Sequence, residues 1–387
     1  MTAGLIFAAG LGTRLAPITD TMPKALIPVG GEPMLGRVIQ RLKNAGITRI
    51  AVNVHHHADQ VEDYLRNNNN FGIEIRISDE RDLLLDTGGG LLRAFEILGE
   101  DVDDILVHNA DILTDVSLKD IIEYHETASA DVTMLVKERP SGRLLYFSND
   151  DNMLKGWKNI VTGQTLPKGF NPDAFENLTA KAFCGIHLVS RSVLPSLRKF
   201  SKEKVFPVVP FYVENCHTLK ILGFTPKNTF TWFDIGSPEK LETARAAEKQ
   251  MQLDRRYLRM AGIWSENSYC KRRQVGAIIV KDKMIISDGF NGTPAGFENV
   301  CEDETGVTKP YVLHAEANAI TKVARSNNSS DGSTLYVTAS PCLECAKLII
   351  QSGIKRVVYG ELYRLCDGIE LMERAGIECS YLPLNNL

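Results

Sequence analysis

The feature that most constrains the fold is a divided set of metal-ligand residues in the last third of the chain. His314 is followed two positions later by Glu316, and Cys342 and Cys345 lie in a Pro-Cys-x-x-Cys segment. One imidazole and two thiolates can hold Zn²⁺ as three protein ligands and leave the fourth position open, which is typical of catalytic zinc. The chain must therefore fold so that two separate segments meet at one ion.

Glu316 is not needed as a ligand and is therefore the candidate proton carrier. The pattern His-x-Glu followed by Pro-Cys-x-x-Cys is the signature of zinc deaminases. Zinc held in this way lowers the pKa of a water molecule from about 15.7 towards about 7. Glu316 is expected to take the water proton, deliver it to N3 of a cytosine ring attacked at C4, and help ammonia leave. Both ligand segments are predicted at helix N-termini, where the helix dipole favours thiolate over thiol.

The segments Val275-Gly276-Ala277 and Gly289-Phe290-Asn291-Gly292-Thr293-Pro294, with the zinc motif, resemble deoxycytidylate deaminases over residues 253–383. The resemblance implies conversion of dCMP to dUMP, a deoxyribose contact from Asn291, and a homo-oligomer, often a hexamer, controlled by dCTP and dTTP. The substrate phosphate requires a cation, for which Arg272 or Arg273 is the candidate. Gly292–Val312 is predicted to be a lid over the nucleotide.

One zinc ion is expected in this part of the chain. Some members of the family that it resembles carry a second, structural zinc, and Cys270 and Cys301 could supply half of such a site. His314 is the only histidine after His217, and the other cysteines, Cys366 and Cys379, lie far along the chain, so a second zinc is the less favoured alternative. A redox-active Cys-x-x-Cys or a core histidine would be the simpler interpretations of the main motif, but Glu316 argues against both.

A glycine-rich turn directly follows the first predicted strand. Gly10, Gly12 and Thr13 would bring backbone N–H groups close to a polyphosphate, and Arg14 would add a guanidinium group. Such a turn alone could simply join a strand to a helix. Pro23-Lys24-Ala25-Leu26-Ile27-Pro28-Val29 and Gly31-Glu32-Pro33-Met34 follow it, and together these segments resemble sugar-1-phosphate nucleotidyltransferases, to about residue 245.

The resemblance implies a role for several residues of the first part. Thr87–Gly90, with Gly88 and Gly89, matches the family's base-binding loop, and Asp111 and Asp234 match its two Mg²⁺ aspartates. Arg14 would hold the leaving pyrophosphate and Lys24 the reacting phosphates. Two aspartates suffice because Mg²⁺ prefers carboxylate oxygens and keeps several waters.

Within the family, N-acetylmuramic acid 1-phosphate uridylyltransferases match best and mannose-1-phosphate guanylyltransferases follow. His55-His56-His57 is not expected to bind metal, because successive strand side chains point to opposite faces; it is expected to border the sugar pocket.

The length of 387 residues and the order of predicted elements indicate two α/β domains. Residues 1–245 are expected to form a Rossmann-like nucleotidyltransferase domain with a mostly parallel sheet covered on both faces. Residues 251–387 are expected to form a three-layer α/β/α cytidine-deaminase-like domain. The stretch 238–261 lacks Gly and internal Pro and reads as one helical connector beginning at Ser237; two helices meeting near Met251 are the alternative. Predicted strands of the first domain are Gly4–Ala8, Arg49–Val54, Glu74–Ser78 and Ile105–Asn109.

Composition excludes some function classes. The net charge is −4, and residues 251–387 carry equal numbers of basic and acidic side chains, so neither part has the basic excess of a nucleic-acid binder. No long apolar run or signal sequence is apparent, which predicts a cytoplasmic protein that acts on small molecules: dCMP, a nucleoside triphosphate and a sugar 1-phosphate. The alternatives are a chain in which only the deaminase acts and the first domain senses nucleotide or directs assembly, a nucleic-acid-editing deaminase, and a fusion with no metabolic link.

Overall fold

The computed structural model describes residues 1–200, 204–226, 230–363 and 366–384. The chain divides into two compact units, Met1–Ala246 and Ala247–Leu387. Among the described residues, none of the helices combines the length and the apolarity that a bilayer-spanning segment needs.

The first unit contains fourteen strands and six complete helices among its described residues. The strands are β1 (Thr2–Phe7), β2 (Pro28–Val29), β3 (Glu32–Pro33), β4 (Arg49–Val54), β5 (Glu74–Asp79), β6 (Asp104–Asn109), β7 (Ile112–Thr114), β8 (Val132–Lys137), β9 (Arg143–Ser148), β10 (Leu154–Asn159), β11 (Thr165–Leu166), β12 (Leu178–Ser190), β13 (Ile221–Phe224) and β14 (Trp232–Asp234). The helices are α1 (Met34–Asn44), α2 (Ala58–Asn67), α3 (Asp86–Leu98), α4 (Leu118–Ala128), α5 (Leu194–Phe200) and α6 (Val208–Glu214).

Ten of these strands form one sheet. Eight follow the order β11-β10-β9-β12-β6-β1-β4-β5, while β8 pairs with β12 and β13 pairs with β8. Strands β6, β1, β4 and β5 are parallel, as predicted. The prediction of a mostly parallel sheet is wrong for the other half, where β12 pairs antiparallel with β6, β8 and β9. Between β8 and β12 the described residues form no helix of more than one short turn, so β9 and β10 pair as an antiparallel hairpin.

The first sheet is covered on both faces. Alternate residues of β1 point to opposite sides, so Leu5 joins one apolar cluster with Leu91 of α3 and Phe211 of α6. Ile6 joins the other cluster with Ile39 of α1. The carboxyl ends of the parallel strands are left for ligands, as expected for this architecture.

The second unit has five strands, β15 (Gly276–Lys281), β16 (Met284–Phe290), β17 (Thr334–Val337), β18 (Arg356–Tyr359) and β19 (Glu378–Tyr381). They form one sheet in the order β16-β15-β17-β18-β19. The helices α8 (Ala315–Ala324), α9 (Leu343–Gln351) and α10 (Asp367–Arg374) pack on one face through a cluster that includes Ala319, Ile349 and Met372. The other face carries a cluster with Leu258 and Ala261. The unit is therefore a three-layer α/β/α fold.

Leu258 and Ala261 belong to α7, which runs without interruption from Pro238 to Ser265. The backbone N–H of Lys240 donates to Ser237 Oγ at 3.4 Å, the contact of a residue that caps a helix N-terminus. The division between the two units lies within this helix.

Candidate active sites

The three residues with metal-ligand spacing come together in the second unit. His314 Nδ1 lies 3.4 Å from Cys342 Sγ and 3.3 Å from Cys345 Sγ. Tetrahedral zinc with ordinary bond lengths separates a ligand nitrogen from a ligand sulfur by about 3.6 Å. Among the described residues, these form the one group of three or more His, Cys, Asp or Glu side chains whose ligand atoms lie within 4.8 Å of one another. The donor set and its spacing therefore fit one zinc ion.

Two helix starts hold these ligands. His314 is the N-cap residue of α8, and Cys342 is the N-cap residue of α9. Gly289 of β16 allows α8 to approach the sheet, because a Cβ at that position would lie 2.2 Å from the carbonyl oxygen of Ala315. A strand residue with a side chain would push the start of α8, and with it His314, away from the cysteines.

The electrostatics of the cluster favour one thiolate before any metal binds. Hydrogen bonds from Cys345 and from His314 lower the pKa of the Cys342 thiol to about 3. The same contact with Cys342 raises the pKa of His314. Proximity to the Cys342 thiolate raises the pKa of Cys345.

Glu316 lies in the first turn of α8 with only 4% of its surface exposed. Burial raises the pKa of its carboxyl group above the ordinary value. The carboxyl also interacts with the Cys345 thiol, so it lies beside the ligand cluster. The arrangement can therefore hold a proton next to the metal-binding atoms.

His314, Glu316 and Cys342 form part of the wall of a cavity of about 230 Å³. Arg272 and Arg273, the candidates for the substrate phosphate, line the same cavity. The Arg273 guanidinium forms an ion pair with Glu361 and lies 4.9 Å from the centre of the Tyr363 ring.

Asn291 also lines this cavity, but its amide already serves the backbone. Asn291 Oδ1 accepts from the Val275 N–H at 2.8 Å, and Nδ2 donates to the Arg273 carbonyl oxygen at 2.8 Å. The side chain thus holds the strand entry that carries Arg273. Its deoxyribose contact stays a prediction that would use the remaining amide hydrogen or lone pair.

The segment predicted as a lid, Gly292–Val312, forms only isolated β-bridges and borders the cavity through Glu302, Thr308 and Val312. Cys270 and Cys301 are both buried and contact each other. Within the described part of the chain, no third His, Cys, Asp or Glu ligand atom joins them in a metal-type group.

In the first unit a second cavity, of about 360 Å³, lies at the carboxyl ends of the parallel strands. Gly10 lines it, together with Lys24, Thr87 and Asp111. Gly12 adopts a left-handed conformation with φ 64°, and Thr13 and Arg14 follow in a short 3-10 turn. These three residues do not line the cavity itself.

The predicted magnesium aspartates come together through a short antiparallel ribbon. Asp234 in β14 pairs with Ile112 of β7, and Asp111 immediately precedes that strand. Asp111 forms an ion pair with Lys24, and Asp234 forms one with Lys240 at 2.6 Å. Burial, the largest single effect, raises the pKa of Asp234. The hydrogen bond from Lys240 and the positive charges of Lys240 and Lys24 together outweigh it, so the pKa of Asp234 is lowered.

Arg14 lies beside this ribbon, because a Cβ added to Gly236 would be 3.1 Å from Arg14 Nη2. The four charged residues predicted for phosphate and metal binding, Arg14, Lys24, Asp111 and Asp234, are therefore neighbours. Sequence analysis did not single out Lys240, although it lies in the first turn of α7, four residues after Gly236.

The prediction of a loop at Thr87–Gly90 is wrong, because this segment forms the first turn of α3. Gly88 and Gly89 are buried, and a Cβ on Gly89 would lie 2.2 Å from the carbonyl oxygen of Lys204. Their lack of side chains therefore lets the chain around Lys204–Phe206 approach the helix. Thr87 and Asp86 line the cavity, whereas Gly88 and Gly89 do not.

The three consecutive histidines form the turn between β4 and α2. His55 Nδ1 contacts the Glu80 carbonyl oxygen at 2.7 Å, and His57 has φ 54° at the start of α2. Within the described residues they join no metal-type group. The sequence analysis did not identify Asn53, which lies in the cavity wall, or its partner Glu80. Both lie at the carboxyl ends of parallel strands, where ligands bind in such sheets.

Comparisons with known proteins match the two parts of the chain to different families. The family model of the cytidine and deoxycytidylate deaminase zinc-binding region matches residues 251–361, and that of nucleotidyl transferases matches residues 3–144. The deoxycytidylate deaminase of Enterobacteria phage T4 is 36% identical over 173 residues, covering 34% of this chain and 90% of the phage protein.

The N-acetylmuramate alpha-1-phosphate uridylyltransferase of Neisseria meningitidis serogroup B is 31% identical over 242 residues, covering 62% of this chain and 96% of that protein. A crystal structure of UDP-glucose pyrophosphorylase without ligand shares the fold of the first unit, with a TM-score of 0.53 at 17% identity, over 65% of this chain and 100% of that one. The chain is therefore a fusion of two enzyme domains and belongs to the nucleotidyl transferase family in its first part and to the cytidine and deoxycytidylate deaminase family in its second.

Proposed function

We propose that this chain is a bifunctional enzyme. Its second unit hydrolyses dCMP to dUMP and ammonia with one catalytic zinc ion. Its first unit transfers a nucleotidyl group from a nucleoside triphosphate to a sugar 1-phosphate with Mg²⁺, and the product is a nucleotide sugar and pyrophosphate. The observation that carries the proposal is the convergence of His314 with Cys342 and Cys345 beside the buried Glu316.

In the deaminase site, His314 Nδ1 and the two cysteine sulfurs would hold the zinc ion. Zinc supplies, when bound, a water molecule that loses its proton near neutral pH. The Glu316 carboxylate accepts that proton at one oxygen and delivers it to N3 of the cytosine as water oxygen bonds to C4. The Glu316 carboxylate next takes the proton of the new C4 hydroxyl group and gives it to the amino nitrogen. The C4–N bond then breaks, so that ammonia leaves, a carbonyl remains at C4, and the first proton stays on N3. Because Glu316 is buried, it exchanges the proton with the substrate and not with bulk water.

Arg272 and Arg273 would bind the 5′-phosphate, since both line the cavity that contains Glu316. The Arg273 guanidinium would exchange its pairing with Glu361 for the phosphate, which offers more acceptor oxygens. A cytosine nucleoside without phosphate would leave that guanidinium with Glu361 and bind more weakly. This distinguishes dCMP from deoxycytidine as the substrate.

In the transferase site, the Asp111 and Asp234 carboxylates would hold Mg²⁺ after release of their lysine partners. The ion supplies charge neutralisation for the triphosphate when bound. Lys24 is then free to bind the reacting phosphates, and Arg14 is positioned beside Asp234–Gly236 to bind the departing pyrophosphate. The chain contributes orientation and positive charge, which is most of what an in-line displacement at phosphorus requires.

The uridylyltransferase from Neisseria meningitidis favours UTP and N-acetylmuramic acid 1-phosphate as the first substrates to examine. Pyrophosphate release should be measured with UTP, GTP and dTTP against a panel of sugar 1-phosphates, and ammonia release with dCMP, deoxycytidine and CMP. We expect turnover in both assays. Ammonia release without pyrophosphate release from any pair would indicate that the first unit senses nucleotide instead of catalysing transfer.

A further inference from the structure

Two buried polar side chains, Asn53 in the wall of the first unit's cavity and its partner Glu80, form a directional hydrogen-bond chain. Asn53 lies at the end of β4 with 4% of its surface exposed. Its Oδ1 accepts from the Ala8 N–H at 2.6 Å and from the Ala9 N–H at 3.1 Å. Ala8 and Ala9 line the cavity, so Asn53 determines where this part of the wall lies.

Glu80 continues the chain on the other side. Only 2% of its surface is exposed. Its Oε1 accepts from Asn53 Nδ2 at 3.0 Å, and its Oε2 accepts from the Leu85 N–H at 3.0 Å. Leu85 lies between Leu84 and Asp86, which both line the cavity. The two side chains therefore connect two parts of the cavity wall, the turn after β1 and the entry to α3.

The donor and acceptor pattern permits one orientation of the Asn53 amide. An ionised carboxylate offers only acceptors, so Asn53 must present Nδ2 to Glu80 and Oδ1 to Ala8 and Ala9. With the amide reversed, its NH₂ group would face two backbone N–H donors and its oxygen would face the carboxylate. Burial raises the pKa of Glu80, whereas the hydrogen bonds from Leu85 and Asn53 favour the ionised form.

We propose that Asn53 and Glu80 are positioning residues of the nucleotide pocket, which together hold the Ala8–Ala9 turn and the start of α3 at the separation that a nucleoside triphosphate requires. The proposal rests on the proposed nucleotidyl transfer. Neither side chain needs to touch the reacting phosphorus. Their loss is expected to weaken triphosphate binding more than it lowers the rate of the bound complex.

The test exchanges the amide of Asn53 and the carboxylate of Glu80 between the two positions. Glu80→Gln places an NH₂ group against either Asn53 Nδ2 or the Leu85 N–H, and so leaves buried donors facing each other. Asn53→Asp places two carboxylates in contact. The double variant Asn53→Asp with Glu80→Gln restores each pair: the new aspartate accepts from Ala8, Ala9 and the new glutamine, whose oxygen accepts from Leu85. The net charge equals that of the wild type.

Binding of UTP, GTP and dTTP with Mg²⁺ should be measured by calorimetry on the full chain, with KM and kcat for the triphosphate that binds best. We expect each single variant to raise the dissociation constant at least about tenfold, since an unsatisfied buried donor costs about one to two factors of ten. The double variant should return to within about threefold of wild type. Glu96→Gln, which removes a surface carboxylate paired with Arg93 elsewhere on α3, should change nothing.

Single variants that melt earlier but bind triphosphate as tightly as wild type would overturn the proposal, because the pair would then only stabilise the fold. A double variant no better than the worse single variant would also overturn it. Deamination of dCMP by the same chains reports that the rest of the protein is intact. Failure of the wild type to bind any of the three triphosphates would refute nucleotidyl transfer itself, and with it this proposal.

Discussion

Replacing Glu316 with glutamine tests the proposed proton carrier without changing the proposed metal ligands. The glutamine has the same shape but cannot accept the water proton, and a general acid–base group contributes about 10²–10⁴ in rate. The buried position excludes bulk water as a substitute. Glu302, the other carboxylate that lines this cavity, already accepts from the backbone N–H groups of Lys271 and Arg272. We therefore expect a loss of at least about 10³ in kcat, or about 4 kcal/mol at about 1.36 kcal/mol per factor of ten.

The assay follows the absorbance change from dCMP to dUMP, with zinc measured by mass spectrometry on the same preparations. Glu316→Gln should keep about one zinc ion per chain, because the three proposed ligands are His314, Cys342 and Cys345. The matched control is Glu344→Gln, which lies between the two cysteines but is exposed and paired with Lys347. Turnover by Glu316→Gln within about threefold of wild type would refute the reasoning, and so would loss of its zinc.

Three further outcomes follow from the same geometry. Cys342→Ser should lose zinc and dCMP deamination while pyrophosphate release is unchanged; retained stoichiometric zinc would contradict the three-ligand site. Asp111→Asn should abolish Mg²⁺-dependent pyrophosphate release and leave deamination intact, and equal transferase rates would remove Asp111 from the site. His108 and His187 are buried with pKa values lowered to about 3, so the unfolded chain binds more protons below pH 6.5 and stability is lost as the pH falls. Urea unfolding should show that the free energy of unfolding is lower at pH 5 than at pH 7 by about 2 kcal/mol for each histidine. In His187→Phe the total loss should be reduced by about half. An unchanged pH dependence in that variant would show that His187 is not responsible.

The family and fold of the second unit were readily predicted, because His, Glu and two Cys at this spacing seldom occur together by chance. His314 and Cys342 were expected at helix starts and are the N-cap residues of α8 and α9. The three-layer architecture also followed from the order of strands and helices. What the pattern did not show was that the Asn291 amide is occupied by the backbone around Arg273. Hydrogen bonds between residues distant in sequence leave no periodic signal.

The first unit was predicted less completely. Alternation of strands and helices indicated the parallel half of the sheet but not the antiparallel half around β12, because hairpin strands with mixed burial lack a clear period. The segment Thr87–Gly90 was expected to be a loop because it resembles the base-binding loop of the nucleotidyltransferases, and glycine also has a low helix propensity. In the folded chain, Gly88 and Gly89 are helical because the backbone near Lys204 packs directly against them. Close packing outweighed intrinsic propensity.

The sequence by itself determined the candidate residues: the donors proposed to hold zinc, the carboxylate proposed to carry a proton, and the aspartates and cations proposed to bind a triphosphate with Mg²⁺. These follow from side-chain type and local spacing, which the chain carries before it folds. Only the tertiary structure decided which of these groups meet and what holds them, as with Lys24 on Asp111 and Glu80 on Asn53. Such pairs depend on sheet order and on the burial of polar atoms, and both exist only when distant segments have packed together.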